Sequence, residues 1–171
     1  MGEASGPIVW KHALWTVPLI VLLGSLSGYV SNSGFGNGWF DPLDKPSFMP
    51  PGWLFGVVWP ILYALIGAAV GIILAEPPSQ RRSRGLALFG VQLLLNFAWS
   101  PLFFAAHDMR LAMVVIFLML GLAAGAAGQF RRIRPLAGLL MLPYLAWLCF
   151  AAALNAAIGS LNPGAGTALL G

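Results

Sequence analysis

Five apolar stretches, none with a charged residue inside it, take up most of this chain: about 13–30, 53–75, 86–106, 111–129 and 136–158. Each approaches or exceeds the length a helix needs to cross a hydrocarbon core, roughly 20 apolar residues for about 30 Å. The composition leaves no second reading. Of the 171 residues, 59% are hydrophobic and only 8% are charged, against about 25% charged in a soluble domain, so there are too few charges to coat a water-facing surface. The expected fold is an all-α membrane protein, a five-transmembrane-helix bundle in one domain over residues 1–171, with no room for a separate soluble catalytic domain.

The spans exclude several function classes. No Asp, Glu, Lys or Arg lies inside them, whereas proton pumps and ion-coupled transporters place such groups in the membrane. No two carboxylates are set for acid–base work, no serine or cysteine triad is visible, and His12 and His107 stand apart from other ligands, which argues against a metal site. The lone Cys149 sits in an apolar run; it cannot form an intrachain disulfide and reads as a buried, inert hydrophobe. A secretory leader is the alternative reading of the first run, with Lys11 before it and small residues near Ser25 to Gly28, but the run is long enough to span.

The net charge of +4 is concentrated rather than spread. Arg81, Arg82 and Arg84 fall between the second and third spans, and Arg131, Arg132 and Arg134 between the fourth and fifth. Neither cluster is interleaved with aromatics as nucleic-acid binders are, so both read as loop charges that set topology. An odd number of spans then puts the N-terminus, Lys11 and both clusters on one side. The long first loop, Ser31 to Gly52, and the C-terminus fall on the other. In a bacterial inner membrane the arginine side would be cytoplasmic.

What the spans offer for chemistry is neutral polar groups and aromatics at helical spacing. Gln92, Asn96 and Ser100 are four apart and share a face, with Trp99 beside them. Phe55, Trp59 and Tyr63 form a second row; Trp147, Ala151 and Asn155 form a third, with Tyr144 one turn earlier. Each amide or indole taken singly is explained by helix–helix hydrogen bonding or an interfacial belt. Three such rows in one bundle are equally what an aromatic-lined pocket for a flat, mostly apolar ligand requires. Gly67 with Gly71 and Gly121 with Gly125 are small-residue pairs that allow close helix approach, within the bundle or between two copies.

Three blocks of sequence carry a resemblance: Trp39 to Tyr63 (WFDPLDKPSFMPPGWLFGVVWPILY), Gln92 to Phe104 (QLLLNFAWSPLFF) and Pro143 to Asn155 (PYLAWLCFAAALN). With the span count they make the chain resemble, over about residues 13–163, the translocator protein family, TspO/MBR, also called tryptophan-rich sensory proteins or peripheral benzodiazepine receptors. The resemblance implies a five-helix bundle, often a homodimer, that binds porphyrins such as haem and protoporphyrin IX in a pocket capped by the first loop, with a sensory, transport or regulatory role and no required cofactor. Carried over by position, and joined by Tyr63 from the aromatic row, the ligand-binding residues would be Trp39, Trp59, Tyr63, Asn96, Trp99, Trp147 and Ala151. Trp59 and Trp147 would be catalytic only if the chain degrades protoporphyrin in light, as some bacterial members are reported to do. A third role the sequence leaves open is a signalling or structural membrane partner with a modulatory pocket. Two departures matter. Phe40 stands where the family often has tyrosine, and Ala153 to Ile158 lacks the tyrosine and following arginine of the animal sterol motif. The second argues against carrying sterol handling over and fits a bacterial cell membrane protein.

Overall fold

The structure is a computed structural model that describes residues 6–166. Among these the regular elements are all helical: α1 (Gly6–Val30), α2 (Gly52–Leu74), α3 (Gln80–Ser100) continuing through a π-helical turn (Pro101–Ala105), α4 (Met109–Ile133), α5 (Pro135–Leu140) and α6 (Leu142–Leu161). The last two follow one another as a single span, giving five helices long and apolar enough to cross a membrane. The chain is an integral, multi-pass membrane protein. Around the bundle α1 packs on α2 and α3, α2 reaches α5, and α4 packs on α3, α5 and α6.

The helix ends run past the apolar windows because those windows measure contact with hydrocarbon, while caps decide where helical backbone begins. Ser79 caps α3, its hydroxyl accepting from the Arg82 amide, so Arg81, Arg82 and Arg84 lie in the first turns of the helix and not in a loop. Arg131 and Arg132 similarly sit in the last turn of α4. Asp108 caps α4 by accepting from the amides of Arg110 and Leu111, so that helix starts at Met109.

Two arginines also join helices. The Arg82 guanidinium donates to the carbonyls of Ile73 and Leu74 at 3.1 Å each, satisfying acceptors that the end of α2 leaves open. Arg134 pairs with Glu76. Both arginine clusters therefore lie at one end of the bundle. The N-terminal part of α1 joins them there, because Ala13 packs on Gly71 near the end of α2.

Gly67 and Gly71 serve packing within the chain. A Cβ on Gly67 would lie 2.9 Å from the Val17 Cα, and one on Gly71 3.0 Å from the Ala13 Cα, so the α1 and α2 backbones touch where these glycines stand. Thr16 reinforces the seam, its hydroxyl lying 2.8 Å from the Gly67 carbonyl and 3.0 Å from that of His12. On α4, Gly125 meets Leu88, whereas Gly121 faces open space.

Proline shapes two of the spans. Pro101 has no amide hydrogen for the Phe97 carbonyl, and Ser27 of α1 donates to that carbonyl instead, at 2.6 Å. The backbone then closes one residue wider, with the Ala106 amide bonding Pro101. In the fifth span Pro143 cannot serve the Leu139 carbonyl, and the helix hitches at Met141, between α5 and α6. The sequence reading expected one unbroken helix there.

Cys149 is exposed, not buried. It lies on the outer face of α6, where the surroundings of a spanning helix are lipid, so an apolar run marks it as membrane-embedded without deciding which side of the helix it occupies.

Candidate ligand cavity

Four elements and the first loop line a partly open cavity of about 630 Å³, within the usual range for small-molecule sites. Phe55, Trp59 and Tyr63 of α2 line one side and Trp147, Ala151 and Asn155 of α6 another. Asn96, Trp99, Ser100 and Phe103 of α3 and its π turn form the third wall. The fourth is α1, whose Gly24, Ser27 and Gly28 were not legible as site residues. Small residues on a mostly apolar helix look like ordinary packing; only the neighbour gives them meaning. Gly24 shows this, since a Cβ there would lie 2.2 Å from the Tyr63 ring. The glycine is what lets Tyr63 turn inward.

The aromatic residues form a connected wall. Trp59 and Trp147 meet edge to face at 6.2 Å between centroids, Phe55 meets Trp147 at 5.8 Å, and Trp59 lies 5.3 Å from Tyr63. Behind them runs a chain of hydrogen bonds. The Tyr63 hydroxyl donates to Asn96 Oδ1 at 2.8 Å, Asn96 Nδ2 donates to the Tyr144 hydroxyl at 3.0 Å, and that hydroxyl donates to Gln92 Oε1 at 2.7 Å. Asn96 is thus oriented by partners from α2 and α6 while it lines the cavity.

Of the residues singled out from sequence, Trp59, Tyr63, Asn96, Trp99, Trp147 and Ala151 come together on this cavity. Trp39 takes another place. Its ring stacks on His107 at 4.4 Å and meets Phe103 at 5.6 Å, and its indole N–H donates to the Ala165 carbonyl. It ties the first loop to the chain beyond α6, while Phe40 next to it lines the cavity together with other loop residues, among them Phe35 and Met49. Phe40 is buried against Phe103 and Phe104.

The loop is held by its own polar groups. Asn37 accepts from the amides of Trp39 and Phe40 and donates to the Asn32 carbonyl. The Lys45 ammonium donates to the carbonyls of Phe40, Asp41 and Leu43. Asn162 pairs with both backbone groups of Asp44 at 2.8 Å, which puts the loop and the C-terminal end of α6 together, opposite the arginines.

Among the described residues no lysine, arginine, aspartate, glutamate, histidine or cysteine lines the cavity, and no cluster of metal-ligating side chains occurs.

Fold and site define a class: a five-span helical membrane protein with an aromatic, uncharged ligand cavity beneath a structured loop. The profile of the TspO/MBR family matches residues 16–161, and the chain belongs to that family. It is 40% identical over 148 residues to the translocator protein of Sus scrofa, covering 84% of this chain and 88% of that one. To the tryptophan-rich protein TspO of Archaeoglobus fulgidus it is 44% identical over 124 residues, covering 72% and 80%. To the tryptophan-rich sensory protein of Cereibacter sphaeroides it is 35% identical over 125 residues, covering 72% and 77%.

Proposed function

We propose that this protein binds tetrapyrroles, haem or protoporphyrin IX, in the cavity between α1, α2, α3 and α6, and that binding serves a sensory, transport or regulatory role. The observation that carries the reading is the wall of Phe55, Trp59 and Trp147, with Asn96 held in place beside it. Indole faces suit a flat macrocycle, each aromatic contact adding about 0.5–1.5 kcal/mol beyond its buried area. Because the lining is uncharged, the macrocycle's carboxylates belong at the mouth, in contact with water or lipid headgroups, and not inside. A homodimer in a bacterial cell membrane, with the arginine end cytoplasmic, completes the proposal; the bacterial relatives and the positive-inside rule support the host and the orientation.

A second reading has its own support. Trp59 and Trp147 are adjacent at the cavity wall, and indole is the most easily oxidised aromatic side chain, so an excited porphyrin bound there could exchange electrons with them. Titrating the purified protein with protoporphyrin IX, in the dark and under illumination, separates the readings. Saturable quenching of tryptophan fluorescence without loss of pigment supports binding alone, and light-driven loss beyond that of free pigment supports degradation. Absence of saturable binding refutes both.

A further inference from the structure

The residues that line the cavity differ in exposure according to the element they come from. Those of α3, its π turn and α6 are all buried or half-buried, whereas every exposed one lies on α1, the first loop or α2. On the helices these are Ser25 and Tyr29 of α1 and Trp53 and Gly56 of α2. The cavity thus opens through the side of the bundle, between α1 and α2. The course of that seam gives the reason. Toward the arginine end the two backbones touch, Gly71 on Ala13 and Gly67 on Val17. The register of those contacts, carried along two antiparallel helices, brings Gly28 level with Gly56. There the helices have parted. Nothing lies within 4 Å of where a Cβ on Gly56 would stand, and a Cβ on Gly28 would meet only the Ser33 hydroxyl. Ser25 and Gly28 on one lip, and Gly52 and Gly56 on the other, carry almost no side chain to fill the gap.

The gap has a definite depth in the membrane. Tyr29 and Trp53 stand at the loop-side ends of α1 and α2 and are 85% and 69% exposed, as aromatics of an interfacial belt are. Gly56 lies one turn further in, about 4.5 Å at a rise of 1.5 Å per residue. The gap therefore starts at the headgroups and runs down into hydrocarbon. The first loop, by contrast, is pinned by the bonds of Asn37, Lys45 and Asn162, which an approach from water through the loop would have to break. We infer that ligands enter the cavity sideways from the loop-side leaflet of the bilayer, through the gap between α1 and α2. An apolar ligand is already concentrated there, because burial in lipid removes the same surface from water as burial in the cavity does. The inference concerns the cavity of the proposed function and holds for any flat apolar occupant, tetrapyrrole or not.

The test places a thiol on the cavity wall and asks from which phase it is reached. Ala151→Cys is made in a Cys149→Ala background, and the full chain in proteoliposomes is treated with N-(1-pyrenyl)maleimide, a flat reagent that partitions into lipid, or with a charged, membrane-impermeant maleimide. The native Cys149, exposed on the outer face of α6, gives the reference rate for a lipid-facing thiol. Gly56→Phe and Ser25→Phe each add a ring at one lip of the gap. Gly121→Phe adds one at an exposed position of α4, off the cavity, where a Cβ also meets nothing. The expected result is that the pyrenyl reagent labels Ala151→Cys and the charged one does not. Obstructing the passage slows association, so each lip variant should slow that labelling at least about fivefold, and Gly121→Phe less than about twofold. Three results would overturn the lateral route: an Ala151→Cys thiol inert where Cys149 reacts, labelling indifferent to both lip variants, or faster labelling by the charged reagent. Failure of protoporphyrin IX to bind while the expected pattern holds would refute the tetrapyrrole reading alone.

Discussion

Asn96 and Gly24 together set the position of Tyr63, one by a hydrogen bond and the other by having no side chain. Asn96→Leu leaves the Tyr63 hydroxyl without its acceptor while Tyr144 keeps Gln92. The expected cost is about 1–3 kcal/mol, read as a lower thermal midpoint in detergent, or as weaker ligand binding if the bundle relaxes; parental values for both would place Asn96 outside the network. Gly24→Ala forces the Tyr63 ring outward and should cost about 1–3 kcal/mol by overpacking, whereas alanine at the exposed Gly90, which has nothing within 4 Å, should be tolerated. Trp59→Phe and Trp147→Phe keep a π face and lose the redox chemistry. Each should weaken porphyrin binding by less than about tenfold, which is about 1.4 kcal/mol, and the double variant should lose any light-dependent degradation. Bleaching at the parental rate would remove both tryptophans from that chemistry. The rows of amides and aromatics were legible at this scale because period-four spacing fixes which residues share a helix face. The place of Trp39 was not, because a loop has no period, and its indole bonds a carbonyl 126 residues away.

At the scale of elements, the π turn after α3 depends on a proline in one helix and a serine in another. Ser27→Ala should cost about 0.5–1.5 kcal/mol by leaving the Phe97 carbonyl unpaired. Pro101→Ala restores an amide hydrogen at the position that would serve that carbonyl, so in its presence Ser27→Ala should cost nearly nothing. Additive losses in this double-mutant cycle would show that the two are unconnected. The existence and order of the spans could be read from hydropathy, since every spanning segment must satisfy its backbone internally. The ends could not, because Ser79 and Asp108 extend or start helices outside the apolar windows. Nor was the hitch at Met141 visible: Pro143 was in plain view, but whether a proline bends, widens or interrupts a helix depends on which neighbours take up the freed carbonyl.

For the molecule as a whole, the arginine clusters and the N-terminal part of α1 share one end, and the first loop and the C-terminal end of α6 share the other. In a Cys149→Ala background, a membrane-impermeant maleimide should label Ser33→Cys in intact bacteria and reach Ser83→Cys only after permeabilisation; labelling of both from one side would contradict this topology. The central claim is that the cavity itself is the tetrapyrrole site, and filling it tests that most directly. Ala151 lines the cavity on α6 between Trp147 and Asn155, so Ala151→Phe places a ring in the space a macrocycle needs. The measurement is a fluorescence-quenching titration with protoporphyrin IX on parental and Ala151→Phe proteins, with helical content and thermal midpoint followed in parallel. The account predicts saturable binding to the parental protein and at least a tenfold loss in the variant with the fold retained. Parental affinity in a folded Ala151→Phe protein would put the porphyrin somewhere else and contradict the account.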